Sequence, residues 1–318
     1  MAAVITHDQF GREVYDSLHA LVGDSRDEFD AFLLGNQGPD VFFFGQARPS
    51  LVRAWGIGTA MHKGDPAVLL AAYRDAVPAM DPCTRSTCRA YVLGMACHYV
   101  LDSTMHPFVY AQQNALCGAG VEGLDERDGH EVHAEIESEL DVLVLSTKAK
   151  TTIEDYDPSS RTLRGSLATL RQVSLLSKRA VFDATGRSIP DDAFEKSVNA
   201  YRKALRAMRS PLGVKRELLG RAEELFRRHS FVRAMSHRNG LLFESAFDNR
   251  ENAEWTDPWT GEARTESFWQ LYDEALGKAK DMVARLWTMS RRDLEDATDG
   301  LDFNGAPVVA RIVKVEEA

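Results

Sequence analysis

Long apolar runs are missing from this sequence. No segment approaches ~18 uninterrupted apolar residues, so no transmembrane helix is expected. Met1 to Phe10 carries no basic stretch followed by an apolar one, so no secretory signal is expected and a cytoplasmic location follows. Cysteine is scarce. Cys83, Cys88, Cys97 and Cys117 form no Cys-x-x-Cys pair, which fits reduced thiols rather than a disulfide framework. No run of alternating apolar and polar residues reads as a strand, and no internal repeat or low-complexity tract stands out. An excess of basic residues is also missing. The net charge of −10 argues against a generic nucleic-acid binder, which needs a cationic footprint.

What is present is helical. At 318 residues the chain can bury a large core without any covalent staple. Apolar periodicity predicts helices from Thr6 or Asp8 to about Val22 and from Asp27 to Leu34, the latter closed by Gly35-Asn36-Gln37-Gly38-Pro39. Gly56 to Gly64 reads as a loop, with a helix after Pro66. Thr87 to His106 reads as a helix ended by Pro107, and another runs from His130 to Lys148 after the loop at Gly118 to Gly129. Residues 151–160 mark a boundary between a region 1–150 and a helical region 151–318 packed on it, with helices near 161–180, 191–209, 212–229 and 265–290. Acid is concentrated in the first region, where 21 Asp and Glu face 11 Lys and Arg. The expected fold class is all-α, a multi-helix bundle with a metal cluster in a cleft between helices.

Two helices carry the chemistry. His98, Asp102 and His106 are spaced by four, so they fall within an arc of ~80° on one helical face. His133, Glu137 and Asp141 repeat that spacing. One such array is more often a solvated face or a hydrogen-bonded core histidine than a metal site. Two arrays in one chain favour metal, because His98 sits inside the apolar run Val92-Leu93-Gly94-Met95-Ala96-Cys97-His98-Tyr99-Val100-Leu101. Burying imidazoles and a carboxylate there without a cation would be costly. Zinc accepts these nitrogen and oxygen donors.

The stretch Gly94-Met95-Ala96-Cys97-His98-Tyr99-Val100-Leu101-Asp102, with Met105-His106 after it, resembles the central motif of the zinc-dependent phospholipase C family. His133, Glu137 and Asp141 match that family's next signature. His7, Asp40 (in Gly38-Pro39-Asp40) and His62 (in Met61-His62) match the earlier His, Asp and His in order, so the resemblance covers roughly residues 5–145. It implies that Asp40, His62, His98 and Asp102 hold one zinc and that His106, His133 and Glu137 hold a second. His7 would share Asp102 at a third. Asp141 matches without a ligand role and is assigned to the surrounding shell, and His130 ranks behind His133 because only His133 has Glu four residues on. The implied activity is hydrolysis of a phosphoester, with metal-activated water attacking phosphorus and Asp40 a candidate base.

The chain departs from the family pattern at several points. Secreted members expose an N-terminal Trp whose amine helps hold the third zinc, whereas Met1 to Thr6 precede His7 here. The Asp102-to-His106 interval is shorter than usual, and Val41 stands where choline-preferring members place an aromatic. Substrate preference is therefore not carried over. A phosphoester or phospholipid small molecule is the expected partner. Two alternatives stand beside the phospholipase reading: a nuclease of the same superfamily and a non-catalytic helical protein stabilised by zinc. The basic window 202–233, with ten Lys and Arg against three acids, leaves peripheral membrane contact open, although a solvated face paired with the acidic first region is the commoner fate. Trp255, Trp259 and Trp269 are expected to pack on the first region. His19, His229 and His237 are read as surface or core histidines.

Overall fold

The computed structural model describes residues 3–47 and 49–308. Among these the chain is all-α, apart from one two-residue hairpin. In chain order α1 spans Val4–Val22, α2 Arg26–Gly35, α3 Ile57–His62, α4 Pro66–Ala76, α5 Arg85–Cys117 and α6 Gly129–Val144. Then follow α7 Pro158–Arg161, α8 Leu167–Thr185, α9 Ala193–Met208, α10 Val214–Glu224 and α11 Phe231–Ala234. Strands β1 (Trp255–Thr256) and β2 (Ala263–Arg264) precede α12 (Phe268–Arg285) and α13 (Arg291–Thr298). No helix among the described residues is long and apolar enough to cross a membrane.

The helix starts are written locally. Ser25 accepts from the Glu28 amide while the Glu28 carboxylate accepts from the Ser25 amide, a reciprocal cap that fixes where α2 begins. Asp65 accepts from the amides of Ala67 and Val68, with Pro66 as the first residue of α4. Ser267 with Gln270, and Ser290 with Asp293, open α12 and α13 in the same way.

Helix α5 is the axis of the molecule, with α2, α6 and α12 packed against it. Its contact with α2 is unusually close, and two glycines allow it. A Cβ at Gly35 would lie 2.1 Å from the Tyr91 carbonyl oxygen, and one at Gly94 would lie 2.0 Å from that of Phe32. That proximity brings the turn after α2 down onto the His98 side chain. One continuous apolar core runs from Ile5 and Phe10 in α1 to Leu271 and Tyr272 in α12, joining residues on both sides of 151–160.

Three local expectations are corrected. Helix α5 continues through Pro107 to Cys117 rather than stopping at it. The missing N–H costs about 3 kcal/mol in a helix interior. Packing against α5 outweighs that cost, and the turn at Gly305 fits so tightly that a Cβ there would lie 2.6 Å from Pro107 Cγ. Gly56 to Gly64 is not a loop: it contains α3, which starts from a left-handed Gly56 at φ 69°. Helix α8 begins at Leu167, because Ser166 supplies the cap that residue 161 lacks.

The aromatic hairpin packs on α5, with Trp255 against Phe108 and Trp259 against Tyr110 at 5.4 Å each. Trp269 sits beside Phe268 and Tyr272 on its own helix, and Lys148 Nζ of the first region lies 5.5 Å from its ring centre. Several arginines of the basic window meet acids near α6. Arg216 lies 3.6 Å from Glu135, Arg227 3.4 Å from Glu131 and Arg228 2.8 Å from Asp125.

Candidate metal centre

The spacing of four on α5 turns His98, Asp102 and His106 toward one cleft, and α6 faces them with His133 and Glu137. Helix α1 contributes His7, the 3-10 segment Gly38–Ala47 contributes Asp40, and α3 contributes His62. All eight residues expected at the site come together. His98 Nε2 lies 3.0 Å from Asp102 Oδ2, and His7 Nε2 lies 3.1 Å from Asp102 Oδ1. His62 Nε2 is 3.0 Å from Asp40 Oδ1 and 3.8 Å from Asp102 Oδ2. At the other end Glu137 Oε1 is 3.5 Å from His106 Nε2 and 3.3 Å from His133 Nε2.

Three groups have their donor atoms within 4.8 Å of one another: His7 with Asp40 and His98; His62 with His98 and Asp102; and His106 with His133 and Glu137. Seven of the eight residues are buried and His133 nearly so.

Four imidazoles are held by the nitrogen that faces away from the cluster. His62 Nδ1 lies 2.9 Å from the Gly58 carbonyl oxygen and His98 Nδ1 3.0 Å from that of Asn36. His106 Nδ1 is 2.7 Å from the Phe303 carbonyl oxygen, and His133 Nδ1 is 3.1 Å from Gln113 Oε1. In the neutral ring an acceptor at Nδ1 keeps the proton there and turns the Nε2 lone pair toward the cluster. His98 Nε2 and Asp102 Oδ2 then face each other as two acceptors, and both are buried without a hydrogen-bond partner. Buried polar atoms are rarely left so. A cation between them removes the conflict, and the donor set of imidazole and carboxylate suits zinc. The residues fit the metal.

The charges are strongly coupled. Burial alone would raise the carboxylate of Asp102, yet His98, His106 and His7 hold it well below the usual range. Asp40 is likewise opposed by burial but pulled down by His62 and His98. Glu137 is also held well below its ordinary value, against burial, by His133 and His106. Burial would lower His106, but Asp102 and Glu137 push it up to about 9. His98 is raised against burial by Asp102 and Asp40, whereas His7 is lowered by burial and by His98.

The metal-side residues open on a cleft of about 340 Å³, which Lys63, Tyr110 and Asn304 also line. His130 belongs to the cleft wall rather than to any cluster: its ring stacks on Phe231 at 4.5 Å. His19 is exposed and His229 bonds to the Gly123 carbonyl.

Residues 6–172 match the family of zinc-dependent phospholipase C. The chain belongs to that family. No curated protein and no solved structure matched it. Membership of the zinc-dependent phospholipase C family supports a hydrolase, and the family implies zinc and a lipid substrate.

Several partners of the site residues carried no legible signal. Asp141 accepts from the amides of Ile5 and Thr6 at 3.0 and 2.7 Å, and from Thr6 Oγ1 at 2.6 Å. Oδ2, which accepts from Ile5, also meets His237 Nε2 at 2.8 Å, so His237 is a core histidine that shares this carboxylate with the start of α1. The Phe303 carbonyl lies 197 residues from His106, and no spacing rule reaches that far. Gly58 is different: it stands four residues before His62, within one helical turn. Met1 and Ala2, where the family's terminal ligand was sought, lie outside the described residues.

Proposed function

We propose that the chain hydrolyses a phosphodiester bond in a small phosphoester or phospholipid. His106, His133 and Glu137 hold one zinc, and Asp40, His62, His98 and Asp102 a second. His7 helps to hold a third through the Asp102 carboxylate, which faces both His7 and His98. Bound zinc supplies an acidified water and positive charge for the phosphoryl oxygens. Asp40, with its carboxylate already ionised beside His62, would take the proton as water attacks phosphorus and return it to the leaving oxygen as that bond breaks, releasing the alcohol. Lys63 offers a cation to the phosphate from the cleft wall, and Tyr110 and Asn304 orient it.

The observation that carries this reading is the pair of buried acceptors, His98 Nε2 and Asp102 Oδ2, inside a cluster that opens on a cleft. Elemental analysis of zinc-loaded protein should give two or more equivalents. Turnover of nitrophenyl phosphocholine and of a nitrophenyl diester should vanish with chelator and return with zinc. Fully loaded protein that turns over no phosphoester faster than Glu137→Ala would leave a zinc-stabilised helical protein in its place.

A further inference from the structure

Helix α10 carries its faces in the reverse of the usual order. A surface helix buries its apolar stripe and shows water its charges. Here Arg216, Glu223 and Glu224 turn inward. Arg216 Nε donates to the carbonyls of Arg233 and Ser236 at 3.1 and 3.2 Å. Glu223 accepts from Ser230 Oγ and the Val232 amide at 2.8 Å each, and Glu224 pairs with Arg233. The apolar side chains turn out. Leu218 is 64% exposed, and the stripe continues into Leu225 at 78% and Phe226 at 89%, with Leu212 at 81% before the helix.

An exposed apolar patch of this kind marks a surface that meets something else. The charges around it say what. Arg206, Lys215 and Arg221 border the stripe, and none has an ion pair among the described residues. The exposed acid of the helix, Glu217, is already paired with Arg216 and Arg233. An apolar stripe edged with cations that have no ion-pair partner among the described residues fits an anionic lipid surface. Position agrees. Helix α10 packs on α11, and Phe231 and Met235 at α11 line the cleft that holds His133 and Glu137.

We propose that α10 docks the protein on an anionic phospholipid bilayer. Leu218, Leu225 and Phe226 enter the headgroup boundary, while Lys215 and Arg221 meet the lipid phosphates. This rests on the phospholipase reading for its purpose, but the binding step needs no turnover.

The test is co-sedimentation of the zinc-loaded full chain with vesicles of phosphatidylcholine alone or mixed with phosphatidylserine. The mixed vesicles should bind more tightly, and added salt should weaken them. Leu218→Glu combined with Phe226→Glu should lower partitioning on the order of 100-fold, and Phe226→Ser alone on the order of 10-fold. Thermal melting and turnover of a soluble diester should stay unchanged in both. Equal binding to the two vesicle types, or binding indifferent to these substitutions, overturns the proposal. So does a dimer that the double substitution abolishes, with no vesicle binding, since the face then belongs to a second copy. Glu137→Ala protein should still sediment with the mixed vesicles. If it does while no phosphoester is turned over by the intact protein, the catalytic reading falls and the docking surface stands.

Discussion

The Asp141 carboxylate closes on Thr6 twice, accepting from its amide at 2.7 Å and from its hydroxyl at 2.6 Å, and so fastens the start of α1 to α6. His7 is the next residue, and its Nε2 reaches Asp102. A carboxylate that binds no metal in this arrangement thereby sets where a ligand stands. Its negative charge at the first turn of α1 is also favourable to the helix dipole.

Asp141→Asn keeps one acceptor oxygen and loses the charge that four donors share. Hydrogen bonds to charged groups contribute about 1.5–3 kcal/mol each, so a loss of about 2–4 kcal/mol in stability is expected. Zinc held with His7 should fall while the site at His133 stays filled. Calorimetry and elemental analysis check both parts. A variant as stable as its parent and with equal zinc would separate Asp141 from the centre.

Asp102 stands between His7 and His98, so Asp102→Asn should release more zinc than His7→Ala, which touches one end only. Inductively coupled plasma measurement after dialysis compares them. Equal retention would remove the bridging role.

Protonation gives a third expectation. In metal-free protein His106 is raised from 6.5 to about 9, so its contribution to stability is complete below pH 6.5 and disappears as pH rises through 9. His98 acts in the same sense and His7 in the opposite one. The depressed carboxylates of Asp40, Asp102 and Glu137 contribute above the unfolded range near 4 and lose that contribution in acid. Chelator-treated protein should therefore melt highest at mildly acidic pH and lower at pH 9, whereas zinc-loaded protein should hold its melting temperature across that interval, since metal replaces the proton. Parallel curves for the two forms would contradict this.

Gly94→Ala places a Cβ 2.0 Å from the Phe32 carbonyl oxygen, which is backbone and cannot turn aside. Helices α2 and α5 must separate, at a cost of about 3 kcal/mol or more. The Asn36 carbonyl would leave His98 Nδ1 with them. Loss of zinc alongside a lower melting temperature is expected, and a melting temperature within error of the parent would refute the packing argument.

The sequence was most readable where geometry is local. Spacing by four put His98, Asp102 and His106 on one side of α5, and caps such as Asp65 with Pro66 marked a helix start. Pro107 misled because propensity counts a lost hydrogen bond but not the tertiary packing around it. The short α3 was missed for a related reason: six residues are too few for a period to show. The anchors of the imidazoles were the least legible. The Asn36 and Phe303 partners are backbone carbonyls, which every residue has, brought close by folding alone. Asp141 was visible in its repeat, but its partners Ile5 and Thr6 are amides and a hydroxyl 135 and 136 positions away.

The carbonyl of Phe303 that orients His106 is a clock as well as a contact. A ribosome makes the chain from His7 onward, and the other seven imidazoles and carboxylates exist long before residue 303 does. Domains fold as they emerge, N-terminal parts first. The Nδ1 partner of His106 is in place only once this distant turn is made, so until then the pocket stays open to exchange, and it becomes selective when the turn closes on it. A ribosome-stalled chain ending before residue 303 would thus capture zinc loosely, and release it to a weak chelator that the finished protein withstands.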